Sequence, residues 1–398
     1  MMIIRHHYID KIRPFYDSDL IKVITGIRRC GKSVILSQIE EELRTIGKPV
    51  LSLNFELIEY SSEIPDAKAL VAYVKERMPH DQKLYVFLDE VQLVDDWNIA
   101  CRSLRLENTS LFISGSNSRL LSKEFTKELS GRYVSFCIRP FVYKEITEYA
   151  HELKKEYSIS DYLTYGGFPK VIEQPDKTSI VQYLNDLNQT IVISDIQNRY
   201  KIRKTELFKR LVNYVLISNA RIFSASSIQH YLSSERLNCS INTVMKYLSY
   251  LEEAYVVRRV PQYSTRAKRE LAFYVKLYDE DVSFNTIRQR NRIPDLTHNL
   301  ENIVFNELIY MGYEISVYNN KDGREIDFLA QKDQKEYLIQ VAYSIVDDST
   351  RQREFALFNV LDQSRKKIII TNDDFDFSTS TVQHISLSRF LLMDQLAF

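Results

Sequence analysis

Residues 20–25, LIKVIT, form a short apolar run rich in branched side chains, as expected of a strand buried on both faces. A loop with two glycines follows. Residues 33–44 then repeat apolar positions at helical spacing, at Val34, Ile35, Ile39 and Leu43. Further strands are predicted over 49–55, 83–88, 110–114 and 134–138, with a helix over 66–78. Strands alternating with helices predict a parallel sheet covered on both faces. After Pro140 the period turns helical, over 143–158 and 179–200, with Tyr165-Gly166-Gly167-Phe168-Pro169 between. Three more helical stretches occupy 205–255, and 256–260 and 272–278 read as two strands. A last α/β segment begins near Leu300: a helix over 300–311, a strand over 315–319, a turn at Lys321-Asp322-Gly323, and strands over 325–330, 337–341 and 367–371. No repeat or low-complexity segment interrupts it.

Composition sharpens this picture. A length of 398 residues predicts several domains, and 44 % hydrophobic with 27 % charged residues is ordinary for a globular chain. No apolar run approaches a membrane span, and the first residues lack a secretory apolar core, so the expectation is a cytoplasmic protein without membrane contact. Cys30, Cys101, Cys137 and Cys239 are scattered without metal spacing, which predicts reduced thiols. The formal net charge is zero but unevenly spread. Residues 201–276 hold 14 basic against 5 acidic groups, and residues 277–398 hold 13 against 20. The basic middle predicts a polyanionic partner, or a face neutralised by the acidic C-terminal part. Only nine glycines occur, and six of them (Gly26, Gly31, Gly115, Gly131, Gly166, Gly167) fall on the motifs described next.

Gly26-Ile27-Arg28-Arg29-Cys30-Gly31-Lys32-Ser33 fits the pattern G-x-x-x-x-G-K-S/T, between a predicted strand and a predicted helix. Glycines let such a loop wrap so that successive backbone N–H groups point inward at phosphate, and the following helix adds its positive end. Gly26, Arg29, Cys30, Gly31, Lys32, Ser33 and Val34 are therefore the candidate nucleotide contacts. Lys32 reaches the outer phosphates and Ser33 offers its hydroxyl to Mg²⁺, so ATP and Mg²⁺ are the expected cofactors. The strand Leu84-Tyr85-Val86-Phe87-Leu88 delivers Asp89 and Glu90, a carboxylate to hold a Mg²⁺ water and one to polarise the attacking water. Asn117, after Ser114-Gly115-Ser116, either orients that water or caps a turn. Arg132 is either an arginine finger for a neighbouring subunit or a surface ion-pair partner.

The segments GIRRCGKS, LDE, SGSNSRLLSKE followed by LSGRY, and YGGFPKVI together resemble a family of prokaryotic AAA-type ATPases. Members carry a C-terminal domain of unknown function with a restriction-endonuclease-like fold and are related to origin-recognition-like and STAND ATPases. The resemblance spans nearly the whole chain. It implies that Gly167-Phe168-Pro169 is the G-x-P element of a helical lid, with Pro169 near adenine. It also implies that Asp89 and Glu90 form the second nucleotide motif, Asn117 the sensor and Arg132 a finger.

Residues 205–278 run helix, helix, helix, two strands, a winged-helix pattern. Its third helix, starting at the capping Ser240, keeps Val244, Leu248 and Leu251 inside and leaves Asn242, Thr243, Lys246 and Tyr250 outside. Arg258, Arg259, Arg266, Lys268 and Arg269 would then meet DNA phosphates, unless the module binds only protein. In the C-terminal segment the nuclease equivalents look like Glu301, Asp327 and Gln340-Val341-Ala342. Ala342 stands where a nuclease needs lysine, so this domain reads as inactive.

The expected architecture is thus an α/β, P-loop AAA-type parallel-sheet core (1–142) and a helical lid (143–203). A winged-helix domain (204–292) and a degenerate restriction-endonuclease-like α/β domain (293–398) follow. The expected function is Mg²⁺-dependent ATP hydrolysis driving conformational change in a homo-oligomer acting on duplex or branched DNA through residues 201–276. The alternatives are a STAND-like nucleotide-gated protein-interaction switch without nucleic acid and, disfavoured by Ala342, an active nuclease.

Overall fold

The first apolar run forms strand β1, Ile21–Thr25, with all five residues buried. The computed structural model describes residues 3–115, 129–263, 275–289, 293–319, 325–358 and 365–396. Two units emerge, Met1–Pro140 with Glu253–Tyr255, and Phe141–Glu252 with Val256–Phe398.

In the first unit β1 is joined by β2 (Val50–Asn54), β3 (Leu84–Asp89), β4 (Thr109–Ser114) and β5 (Tyr133–Cys137). The order is β2-β3-β4-β1-β5, and every neighbouring pair is parallel. Strands apolar on both faces require cover on both faces. The helices Lys32–Thr45, Ala67–Glu76 and Trp97–Leu104 follow β1, β2 and β3 in the sequence. Leu70, Val74 and Leu104 pack with Val86, Leu88, Leu111 and Ile113. Asp66 starts the second of these helices by accepting the Lys68 and Ala69 N–H groups, both at 2.9 Å. Register fixes the carboxyl edge of the sheet: Ile24 pairs with Ser114, and Leu88 with Ile113, so Asp89 stands level with Ser114. Lys22 is the one charged residue of β1. Its Nζ donates to Ser110 Oγ at 2.8 Å and lies 4.7 Å from the Phe112 ring centre. Burial, with help from Lys83, pushes its pKa down to about 7.

In the second unit the helix predicted over 143–158 ends at Glu152, because Lys154 turns left-handed (φ 56°) and Lys155 N–H closes on Ala150 O. The helix predicted over 179–200 is not uniform. It runs as Lys177–Asn188, widens to a π-helical turn over Gln189–Asp195, and resumes as Ile196–Arg199. Four successive β-branched residues, Thr190 to Ile193, crowd a regular helix at this point. Helices Thr205–Ile217, Ala225–Ser234 and Ile241–Glu253 come next. The chain here also forms an antiparallel sheet of β6 (Ile222–Phe223), β7 (Val257–Val260) and β8 (Val275–Asp279), ordered β6-β8-β7. The two-residue β6 was not expected from the pattern.

After the helix Leu296–Tyr310 a second five-stranded sheet forms from β9 (Glu314–Asn319), β10 (Glu325–Lys332), β11 (Lys335–Ala342), β12 (Lys366–Thr371) and β13 (Gln383–Ser386). Its order is β13-β12-β11-β10-β9, antiparallel from β9 to β11 and parallel from β11 to β13. The helix Asp348–Ala356 and strand β13 are additions to the sequence reading. The turn at Lys321-Asp322-Gly323 lies outside the described residues. Among the described residues no helix is long and apolar enough to cross a membrane.

Candidate nucleotide site

The loop leaving β1 is held from beneath. Gly26 has φ 134°, and a Cβ there would lie 2.0 Å from Ile138 O, so only glycine lets the chain pass the end of β5 this closely. Cys30 is buried and its Sγ donates to Ile138 O at 3.2 Å. Arg5, also buried, donates through Nη1 to Cys30 O at 3.1 Å and to Arg139 O at 3.0 Å. The loop is thereby pinned on its inner side, while Arg28 is half-buried and Arg29 exposed. Arg28 pairs with Glu56 at 3.8 Å.

Gly31, at φ 100°, is the N-cap of the helix Lys32–Thr45, and no side chain caps that end. The first N–H groups of a helix have no intrahelical acceptor, so this terminus presents donors together with the positive end of the helix dipole. Lys32 is buried and folds back over the loop, its Nζ donating to Gly26 O at 3.2 Å and Ile27 O at 3.1 Å. Its charge is therefore held in the hollow of the loop rather than out in solvent. Ser33 is exposed and Val34 half-buried on the first helical turn.

Two strands away in the sheet, Asp89 ends β3. Ser114 Oγ, fully buried at the end of β4, donates to Asp89 Oδ1 and so fixes the carboxylate. Ser114 Oγ also accepts the Glu90 N–H at 3.4 Å. Glu90 sits in the left-handed region (φ 54°), which turns its side chain out of the strand direction, and Gln92 Nε2 donates to Glu90 Oε2. The loop after β1, Asp89, Glu90 and Ser114 thus share the carboxyl edge of one parallel sheet, where ligands of open α/β sheets bind.

Arg5 carries no local signal in the sequence, since it acts on a carbonyl 134 residues away. Ser114 is legible as a polar residue at the end of its strand, but not as the partner of Asp89. Asn117 lies outside the described residues. Arg132 is not gathered with the others. It is exposed, and its carbonyl accepts the N–H of Ile21, at the amino edge of the sheet. That places its main chain about 13 Å, the rise of β1, from the start of the phosphate loop. Pro169 belongs to the second unit, where it opens the short helix Pro169–Glu173. In that unit Gly167 N–H donates to Asp281 Oδ2 at 2.7 Å, Gly167 O accepts from Phe141 N–H at 2.8 Å, and Phe168 packs edge-on against Phe284.

The second unit also gathers Glu301, Asp327 and Gln340: Asp327 N–H donates to Gln340 Oε1 at 3.4 Å, and Glu301 and Asp327 share one cationic neighbour. Ala342 ends β11. The basic middle is partly spent within the chain. Arg259, expected to meet phosphate, is paired with Glu252, and Arg210 with Glu206 and Glu235. Arg266, Lys268 and Arg269 lie outside the described residues.

Residues 18–147 match a family model described as an AAA domain. Residues 156–288 and 297–390 match two domains of unknown function, DUF8612 and DUF4143. The chain is 35 % identical over 388 residues to an uncharacterized protein of Haemophilus influenzae, covering 94 % of each chain. It is 30 % identical over 391 residues to the uncharacterized protein MJ1544 of Methanocaldococcus jannaschii, covering 89 % of this chain and 82 % of that one. Among solved structures, the Walker-type ATPase PABY2304 of Pyrococcus abyssi aligns with a TM-score of 0.50 at 14 % identity, over 72 % of this chain and 96 % of that one, a likeness of fold.

Proposed function

The chain belongs to the AAA-type P-loop ATPases that carry C-terminal domains of unknown function, and we propose on that premise that it binds ATP with Mg²⁺ and hydrolyses it. The observation that carries this reading is the pairing of a pinned phosphate loop with a fixed carboxylate on the same sheet edge. Backbone N–H groups of Arg29, Cys30, Gly31, Lys32, Ser33 and Val34 take the phosphates, and Lys32 exchanges its two loop carbonyls for phosphate oxygens. Ser33 and Asp89 offer a hydroxyl and a carboxylate, the hard oxygen donors that suit Mg²⁺. Bound there, Mg²⁺ would neutralise charge on the outer phosphates. Glu90, just beyond Asp89, polarises the attacking water, and Asn117 orients it.

Arg132 is proposed to act on a neighbouring copy. Its place at the amino edge puts the loop of its own chain out of reach, which favours a homo-oligomer in which one chain completes the next chain's site.

The three helices and the β6-β8-β7 sheet support a winged-helix reading of residues 204–292. Its third helix buries Val244, Leu248 and Leu251 as expected, and Tyr247 with them. Asn242 and Lys246 are exposed on it, and Lys246 lies 5.9 Å from the ring centre of Tyr250, which stacks on Tyr200. That face is proposed to meet duplex or branched DNA. The second reading, a STAND-like nucleotide-gated protein switch, is favoured by the internal pairing of Arg259, Arg210 and Arg221. In either reading the C-terminal α/β domain is catalytically silent.

ATP turnover with no DNA, duplex, single-stranded and branched DNA tests the proposal. DNA-stimulated turnover supports the first reading. Turnover indifferent to all three, with no duplex binding at ~50 mM salt, where phosphate contacts are strongest, supports the second.

A further inference from the structure

The cationic neighbour shared by Glu301 and Asp327 is a lysine from a different sheet. Lys276 lies on β8, the central strand of the three-stranded sheet, paired with Ile222 on one side and Val260 on the other. Its side chain is 5 % exposed, and its Nζ lies 2.9 Å from Glu301 Oε1, 2.6 Å from Glu325 Oε1 and 3.1 Å from Asp327 Oδ1. Glu325 and Asp327 are two apart on β10 and so share a face, while Glu301 comes from the helix Leu296–Tyr310.

Three further hydrogen bonds hold this cluster. Tyr278, two residues after Lys276, donates its hydroxyl to Glu301 Oε1 at 2.7 Å. Val341 N–H donates to Asp327 Oδ2 at 2.9 Å, and Gln340 Oε1 accepts from the backbone of Asp327. Burial lowers the Lys276 pKa, but Asp327, Glu301 and Glu325 more than offset it and hold it above the ordinary lysine value. Burial, reinforced by Asp327, pushes Glu301 up to about 8.

The Lys276 ammonium fills the space among these three carboxyl groups. Oxygens at 2.6–3.1 Å suit N–H···O bonds. Mg²⁺ requires oxygens at about 2.1 Å and Ca²⁺ at about 2.3–2.6 Å. Among the described residues no group of three His, Cys, Asp or Glu is arranged to hold a metal ion. The Mg²⁺ that a nuclease of the resembled fold would use therefore does not fit these residues as they stand.

We propose that Lys276 is the resident cation of this cluster: it takes the place a divalent metal would need, closes the C-terminal sheet to metal-dependent cleavage, and clamps that sheet to the three-stranded one. The proposal deepens the reading of the C-terminal domain as silent. Two neighbouring contacts extend the same joint. Asn302 exchanges two hydrogen bonds with the backbone of Asp279, at 2.7 and 2.9 Å. Pro261 O and Tyr263 N–H pair with both backbone groups of Val317 on β9. The three-stranded sheet and the C-terminal sheet are therefore joined as one body.

The test is Mn²⁺ binding by electron paramagnetic resonance on nucleotide-free, full-length protein, with thermal melting alongside. Wild type should bind no Mn²⁺ sensitive to Asp327→Asn. Lys276→Met should melt lower, take up one Mn²⁺ per chain, and recover its melting temperature with Mn²⁺ but not with Na⁺. If Lys276→Met fails to fold, Lys276→Arg keeps a cation and should fold and stay Mn²⁺-free. Mn²⁺ binding by wild type that Asp327→Asn abolishes would overturn the proposal. So would a folded, Mn²⁺-free Lys276→Met that melts like wild type, or a Lys276→Arg protein that fails to fold or binds Mn²⁺. DNA cleavage, measured separately, tests the silent-domain reading itself. A chain that binds no Mn²⁺ yet cuts DNA would sink that reading and leave the lysine in place.

Discussion

Arg5 holds the phosphate loop from behind. One of its nitrogens bonds both Cys30 O and Arg139 O, joining the loop to the chain that leaves β5. Arg5→Met would leave two buried carbonyls without that donor. It is expected to cost roughly 2–3 kcal/mol of stability in denaturant unfolding and to weaken ATP binding more than ~10-fold, read by fluorescent-nucleotide titration. Unchanged affinity would mean that the loop keeps its shape without this brace. Ser114 is a different case, because it touches Asp89 rather than phosphate. Ser114→Ala should leave ATP affinity within about threefold and cut turnover by ~10-fold or more, as is usual when the partner that orients a ligand-bearing carboxylate is lost. The placement of Lys32, Asp89 and Glu90 at the carboxyl edge was legible in the sequence, because a G-x-x-x-x-G-K-S loop and a strand ending in Asp-Glu are local patterns. Arg5, Lys276 and the bond from Ser114 to Asp89 were not, because the partners lie far along the chain, as Lys276 and Asp327 do at 51 residues apart.

Among the elements, β1 combines a buried strand with a buried amine. The unfolded chain keeps the Lys22 proton up to the ordinary 10.5, whereas in the folded protein burial lets it go at about 7. Between those values the unfolded state binds more protons, so folding stability should rise with pH across about 7 to 10.5. Lys22→Met should flatten that rise in urea melts taken from pH 7 to 10. A wild-type stability that falls over this range would contradict the assignment. The five parallel strands are all anticipated from their apolar runs: β1, β3 and β4 are buried almost throughout, while β2 and β5, at the sheet edges, are mostly half-buried and still carry enough apolar residues to read as strands. The strands missed were β6, two residues long, and β13, four residues long with a buried His384 in place of an apolar residue. In both, packing against neighbours decides the conformation, and a short stretch carries too little periodicity to show it.

At the scale of the whole molecule, a near-neutral chain hides a basic middle whose charge is partly consumed internally. Arg259 meets Glu252 and Lys276 meets three carboxylates, so composition overstates the cations open to a partner. If the proposed DNA face is real, duplex affinity should fall linearly in log salt with a slope of only a few phosphate contacts. Lys246→Ala should lower that slope by about one. A salt-independent affinity would point away from phosphate recognition. Oligomer function is tested by mixing Arg132→Ala with Glu90→Gln protein. Each is inactive alone if the finger acts between copies, and partial ATPase activity should return on mixing. Activity of Arg132→Ala by itself would remove Arg132 from the site. The fold class was legible from the alternation of elements, while the gathering of side chains at one sheet edge rests on register that no local pattern encodes. The most direct test of the central claim compares ATP binding and single-turnover hydrolysis, with Mg²⁺, in wild type, Lys32→Ala and Glu90→Gln. Wild type should bind and hydrolyse ATP, Lys32→Ala should bind at least ~100-fold more weakly, and Glu90→Gln should bind like wild type with hydrolysis reduced at least ~100-fold. Lys32→Ala that binds and turns over ATP like wild type would contradict the account.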